Sequence, residues 1–179
     1  MKTCWLLLIT LLFSFQTVAS ENTVYVTEED RQIFDRYIDY IAEKEQTPQS
    51  VIMATADFFL DIPYVGATLE KEPEGLVVNF RELDCTTFVE TVFSLSRTVL
   101  DGNLTFDAFC DNLRSLRYRE EEINGYISRL HYTTDWIYEN GQKGLIKDIT
   151  REIGGEPLAV SLSFMSKNAD KYKQLKDNP

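Results

Sequence analysis

The sequence predicts an α+β domain that is mainly helical and contains a few short strands. Four segments repeat apolar residues at the spacing of one helix face, and a short segment has the alternation of a strand. Neither an internal repeat nor a low-complexity stretch nor a Pro/Gly-rich linker interrupts residues 21–179. We therefore predict that these residues form a single domain.

The first twenty residues have the layout of a secretory signal peptide. Lys2 precedes an apolar run over residues 5–15, and small residues precede Glu21. We expect cleavage near Ser20 and export to the periplasm or the medium. No later stretch approaches the roughly 18 consecutive apolar residues of a membrane span, so we expect no stable membrane anchor.

The composition limits the classes of partner. The formal net charge of −11 argues against nucleic acid, because a phosphate backbone is bound by basic surfaces. One histidine and two distant cysteines, Cys85 and Cys110, follow the signal peptide, and they do not make a metal-ligand set. We expect no metal and no cofactor. The two cysteines allow one disulfide in an oxidising compartment.

Two helices are predicted in the front part of the domain. Thr27 is a favourable N-cap because three acidic residues follow it, and a helix of about 16 residues is expected from there. A second helix is predicted to start near Pro48 or Ser50 and to stop before Pro63. Its buried face is expected to comprise Val51, Ile52, Thr55, Phe58 and Phe59.

The remaining elements surround a predicted central helix at residues 85–100. Its apolar residues cover most of the circumference and leave one narrow polar stripe. That stripe comprises Glu90, Ser94, Arg97 and Asp101. A strand is predicted at residues 76–80, and a further helix at Phe106–Leu116 with Cys110 as a core thiol. Residues 146–149 and 158–164 are also predicted as strands.

Cys85 falls at the start of the central helix. Free N–H groups and the helix dipole favour a thiolate there, and Asp84 is the expected N-cap. A thiolate held in this way is a nucleophile for acyl transfer. The same position also suits an inert cysteine at the start of a core helix, and position alone does not separate the two.

Three motifs resemble a known family. They are Asp61–Gly66 with its Pro-Tyr pair, Leu83–Glu90 around Asp-Cys-Thr-Thr-Phe-Val, and Ser128–Tyr132 followed by Asp135-Trp136. Together they resemble the N-acetylmuramoyl-L-alanine amidase-like family of exported bacterial proteins, a branch of the NlpC-type cell-wall hydrolases. The resemblance covers nearly all of residues 28–179.

The resemblance implies a papain-like (NlpC-type) thiol hydrolase, of which this chain would hold mainly the helical N-terminal half. It implies that Cys85 attacks an amide of peptidoglycan or a muropeptide, either between muramic acid and L-alanine or within the stem, through an acyl-enzyme. Tyr64 matches a tyrosine that lines the site, although it also suits a core aromatic in a turn. Asp84 either caps the helix or meets a substrate amine.

His131 is the sole histidine of the chain, so it is the one imidazole base that the sequence offers. The family places its base on a later sheet strand in a Gly- and Val-rich stretch, and nothing of that kind occurs before Pro179. We therefore expect the domain to be incomplete at its C-terminus, and residues 21–179 by themselves to be inactive. His131 is the base by default, a substrate-site residue in a motif with Arg129, Tyr132 and Trp136, or a packing residue. Arg129 suits either a muropeptide carboxylate or a surface salt bridge.

Three functions compete. The leading one is an exported cysteine amidase that acts on peptidoglycan or muropeptides. A second is a non-catalytic exported protein of the same fold that binds muropeptides, which the absence of a second histidine favours. The third is a secreted helical domain closed by a Cys85–Cys110 disulfide. The sequence does not specify the oligomeric state.

Overall fold

The computed structural model describes residues 23–156 and 158–176. The predicted signal peptide, residues 1–20, lies outside them. The main elements, in chain order, are β1 Val24–Tyr25, α1 Glu28–Ala42, α2 Pro48–Phe58, β2 Leu76–Val77, α3 Cys85–Leu100, α4 Phe106–Arg117, α5 Thr133–Gln142 and α6 Phe164–Lys167. In the described part of the chain, every helix is too short or too polar to cross a bilayer. The architecture agrees with the α+β class, while the papain-like assignment stays a prediction.

Helix α1 begins where its capping signal predicted. Thr27 and Asp30 form a reciprocal capping box, and Asp30 is fully buried. The Asp30 carboxylate also accepts hydrogen bonds from Phe80 N at 2.9 Å and Arg81 Nε at 3.1 Å. Burial raises the pKa of Asp30. The hydrogen bonds from Arg81, Thr27 and Phe80 together lower it by more, so the net pKa is below its usual value. Asp30 thus fixes α1 to the loop that precedes Cys85.

Helix α3 packs between α2 and α4 at the centre of the fold. The Tyr37 hydroxyl of α1 lies 2.8 Å from Thr55 Oγ1 of α2, and Ser96 Oγ of α3 donates to the same atom at 3.2 Å. The predicted burial of Ile52 is wrong, because 43% of that residue is exposed. Helix α2 ends at Phe58, five residues before Pro63. A shared polar contact therefore sets the packing of three helices inside an apolar core.

The strands are shorter and fewer than predicted. β1 and β2 form one parallel pair of two residues each, and Val78 N extends it with a 2.9 Å bond to Tyr25 O. Residues 146–149 and 158–163 have no regular structure, and Phe164 begins a helical turn, so both predicted strands are wrong. Within the described residues these segments have no strand to pair with, and 86% of Leu158 is exposed.

The polar stripe of α3 is partly buried, which the sequence pattern alone did not predict. Glu90 and Ser94 are at most 1% exposed, whereas Val89 and Leu100 are 50% and 43% exposed. Glu90 is buried because Arg117 of α4 reaches it, with Nε 2.6 Å from Glu90 Oε2. The helix begins and ends where predicted, but part of its apolar surface faces outward beside Cys85.

Candidate active site

The N-terminus of α3 presents Cys85 to solvent. Asp84 Oδ1 accepts from Thr86 N at 3.0 Å and from Thr87 N at 2.8 Å, and Asp84 N donates to Thr87 Oγ1 at 2.8 Å. Asp84 is therefore the helix cap, which was the first of the two roles predicted for it. This capping box satisfies the first-turn donors behind Cys85 and holds the thiol at the positive end of the helix.

The second cysteine has a different environment. Cys110 is buried in α4, where burial raises the pKa of its thiol to about 12. Both Cys85 and Cys110 are free, so the hypothesis of a domain closed by a disulfide between them is wrong. The reading of Cys85 as an inert core thiol is also wrong, because that residue is exposed.

A turn next to α3 places Tyr64 beside the thiol. Tyr64 forms an isolated parallel bridge with Leu83, in which Leu83 N donates to Pro63 O and Val65 N donates to Leu83 O, each at 3.1 Å. The Tyr64 side chain is 74% exposed, which rules out its reading as a core aromatic. Its hydroxyl lies near the Cys85 side chain, which raises the pKa of Tyr64.

Cys85 opens onto a mostly apolar pocket of about 280 Å³. Helices α3 and α5, with the loop that precedes α5, supply the walls. The lining residues are Cys85, Thr86, Val89, Leu130, His131, Thr133, Trp136 and Ile137. The exposed apolar flank of α3 is thus one wall of a cavity that reaches the thiol.

His131 lies in this wall and is half-buried. Its Nε2 is 2.8 Å from the carbonyl oxygen of Tyr126, and the centroids of the two rings lie 4.2 Å apart, with the ring planes tilted by 34°. A carbonyl only accepts, so Nε2 carries the proton and Nδ1 keeps its lone pair. Burial lowers the pKa of His131, which favours this neutral form. Among the described residues, no hydrogen bond joins the imidazole to Cys85.

Arg129 is buried, which rules out a surface salt bridge, one of the two roles expected for it. Only 6% of Arg129 is exposed; its Nη2 lies 3.0 Å from Glu70 Oε1 and its Nε 3.1 Å from Glu74 Oε1. Burial raises the pKa of Glu74 although Arg129 lies beside it. The Arg129 guanidinium also lies 5.0 Å from the Tyr126 ring centre. These contacts fix the loop that carries His131.

Tyr132 does not face Cys85. Its hydroxyl accepts from Met165 N at 2.7 Å, and the residue lines a second pocket of about 260 Å³. Arg119, Arg129 and His131 line that pocket as well. His131 is therefore the residue that borders both cavities, and Arg129 and Tyr132 belong to the second one.

Sequence reasoning placed Trp136 in the motif of His131 but missed the contacts that hold the pocket from behind. Trp136 Nε1 donates to Glu90 Oε1 at 3.2 Å, and Arg117 Nη1 donates to Val77 O at 2.6 Å. No sequence pattern predicts that α3, α4 and α5 meet at Glu90. The available signal was the acidic side chain of Glu90 on a helix predicted to be central to the fold, since such a group is buried only when paired.

Solved structures of known proteins resemble this chain. An N-acetylmuramoyl-L-alanine amidase from Bacteroides uniformis is 42% identical, with a TM-score of 0.66 over 72% of this chain and 54% of its own. A Bacteroides fragilis protein provisionally named a xylanase is 38% identical, with a TM-score of 0.65 over 70% and 55%. A Legionella pneumophila protein is 26% identical, with a TM-score of 0.58 over 72% and 42%.

The chain therefore spans about half the length of the solved relatives that it matches. Comparison with curated proteins finds no match. The sequence profile of N-acetylmuramoyl-L-alanine amidase-like proteins matches residues 54–179, which is well over half of the chain. The chain belongs to the N-acetylmuramoyl-L-alanine amidase-like family.

Proposed function

We propose that this protein is an exported cysteine amidase that cleaves the bond between muramic acid and L-alanine in peptidoglycan or muropeptides, with a stem-peptide amide as the alternative bond. The observation that carries the proposal is the exposed Cys85 thiol at the capped start of α3, facing a pocket next to Tyr64. Family membership supports a peptidoglycan-type substrate.

In the proposed reaction, Cys85 Sγ attacks the amide carbonyl and forms a tetrahedral oxyanion. The backbone N–H of Cys85 and the Tyr64 hydroxyl are the donors for that oxyanion. The raised pKa of Tyr64 keeps its hydroxyl protonated, as this role requires. The C–N bond then breaks, the amine leaves, and water hydrolyses the thioester to regenerate the thiol.

A base must take the thiol proton and return it to the leaving amine. His131 Nε2 donates to Tyr126 O, and its imidazole makes no hydrogen bond to Cys85 among the described residues. We therefore assign His131 to substrate binding, with Nδ1 as an acceptor for a substrate N–H. The resemblance assigns the base to a histidine on a sheet strand, which the described part of the chain does not contain.

The alternative function is muropeptide binding without hydrolysis. The missing hydrogen bond between Cys85 and an imidazole favours it, since nucleophile and base must lie within hydrogen-bond reach. Mass spectrometry of muropeptides incubated with the protein and with Cys85→Ala separates the two. The amidase proposal expects free stem peptide with the parent alone. Binding by both proteins without products supports the alternative.

A further inference from the structure

Glu90 is a buried carboxylate in the middle of α3, with only 1% of its surface exposed. Each of its oxygens has a separate partner. Oε2 accepts from Arg117 Nε at 2.6 Å, and Oε1 accepts from Trp136 Nε1 at 3.2 Å. A charge that is fully removed from water needs such partners, and Arg117 supplies the opposite charge.

The contact with Trp136 links this buried pair to the pocket. Glu90 follows Cys85 by five positions on α3, while Trp136 lies on α5 and forms part of the wall around the thiol. The N–H edge of the indole points to Glu90, so the rest of the half-buried ring forms the wall. Rotation of the indole would break its hydrogen bond to a charged acceptor, a bond stronger than one to a neutral group.

The ion pair between Arg117 and Glu90 does not by itself explain why Glu90 Oε1 faces Trp136. Arg117 Nη1 is itself fixed by Val77 O at 2.6 Å in β2, so the carboxylate is held from the side of α4 and β2. Glu90 Oε1 is then directed at α5. The fixed Arg117 side chain thus holds the Glu90 carboxylate, and the carboxylate in turn holds the Trp136 indole that faces the cavity.

We infer that Glu90 is a positioning residue that acts through Trp136, holding the indole at the orientation that the substrate contacts in the Cys85 pocket. The inference rests on the proposed function, in that the pocket is the substrate site. Glu90 touches neither the substrate nor the thiol. Its removal weakens substrate binding and leaves the reactivity of Cys85 unchanged.

The first test does not depend on hydrolysis. In Glu90→Gln, Arg117 claims the amide oxygen and the Gln NH₂ faces the indole N–H, so Trp136 loses its acceptor. Trp136 is the single tryptophan of the described residues, and a Trp136→Phe protein supplies the background signal. We expect acrylamide quenching of Trp136 fluorescence to rise about twofold in Glu90→Gln, because the indole is no longer anchored. Unchanged quenching overturns the inference.

The second test is a double-mutant cycle on muropeptide hydrolysis. We expect Glu90→Gln to raise KM about tenfold with kcat nearly unchanged, because a binding contact is lost. In the Trp136→Phe background the same substitution should change KM by less than about twofold, since the indole N–H is already absent. Equal effects of Glu90→Gln in both backgrounds contradict action through Trp136.

A third variant serves as the control for a loss of folding. Glu90→Gln leaves Arg117 buried without its counter-charge, so Glu90→Leu with Arg117→Met removes both charges and the acceptor of the indole N–H together. The inference requires the same rise in quenching from this pair. A parent protein that hydrolyses nothing defeats the proposed function, whereas the quenching assay still decides the role of Glu90.

Discussion

Tyr64 and Leu83 pair through a parallel bridge whose two hydrogen bonds are each 3.1 Å long. Leu83 is followed directly by the cap residue Asp84 and by Cys85. The bridge therefore fixes the Pro-Tyr turn to the first turn of α3. The backbone at Tyr64 is thus held beside Cys85, although 21 positions separate the two residues in the chain.

Tyr64→Phe tests the hydroxyl as an oxyanion donor. We expect kcat to fall about 10²-fold, the order seen when one such donor is removed. The melting temperature should stay within about 1 °C of the parent value, since the ring is 74% exposed and the bridge uses backbone atoms. Tyr138→Phe, at a residue 63% exposed, is the matched control and should change neither quantity. Unaltered kcat in Tyr64→Phe excludes the donor role.

Two substitutions of Asp84 distinguish the role of its capping oxygen from the role of its negative charge. Asp84→Ala removes the acceptor for Thr86 N and Thr87 N and should lower the free energy of unfolding by about 1 kcal/mol. Asp84→Asn keeps that oxygen and should lose less than about half as much. Chemical denaturation measures both. Full activity of Asp84→Asn supports a capping role, while lost affinity at normal stability would show that the carboxylate meets a substrate amine.

The two cysteines should differ sharply in alkylation. Cys85 is exposed at a helix N-terminus, whereas burial raises the pKa of Cys110 to about 12. At pH 7.5 we expect iodoacetamide to modify Cys85 at least about 10²-fold faster than Cys110, because the thiolate is the reactive form. Peptide mapping after timed labelling gives both rates. Equal rates would contradict the assignment of the nucleophile.

His131 gives a pH dependence with a definite sign. Its pKa is lowered in the fold, so the unfolded chain binds the proton first as the pH falls. The stability contributed by the neutral ring is complete above about pH 6.5 and is lost as the pH falls towards the lower folded pKa. We expect the difference in melting temperature between the parent and His131→Gln to shrink from pH 7.5 to pH 5. A difference that grows on acidification contradicts this account.

His131→Gln also distinguishes a role of His131 in substrate binding from a role as the catalytic base. If His131 binds substrate, KM should rise about tenfold while the rate of Cys85 alkylation at each pH is unchanged. A loss of kcat together with an altered pH profile of alkylation would instead identify His131 as the base.

Local signals were sufficient to predict helices α1 and α3. Asp84 and the apolar residues after it predicted both ends of α3, because a cap and a helical period act over a few residues. The N-cap Thr27 worked in the same way for α1. The capping role of Asp84 was also predictable, since it needs only the N–H groups two and three positions later.

Distant contacts could not be read from the sequence. Glu90 was assigned to a polar stripe because its partner Arg117 lies 27 positions away, and Arg129 was not expected to be buried between Glu70 and Glu74. The strands predicted after residue 145 failed for the same reason, since a strand depends on a pairing partner that local pattern does not identify.

The central claim is that Cys85 forms an acyl-enzyme with the muramoyl side of the substrate. Acid quenching of the reaction within the first turnover, followed by intact-protein mass spectrometry and peptide mapping, tests it directly. We predict an adduct with the mass of the muramoyl acyl group on the peptide that contains Cys85, absent from the Cys85→Ala protein. Cleavage of the muropeptide by Cys85→Ala at the parental rate, with no adduct in either protein, would contradict the account.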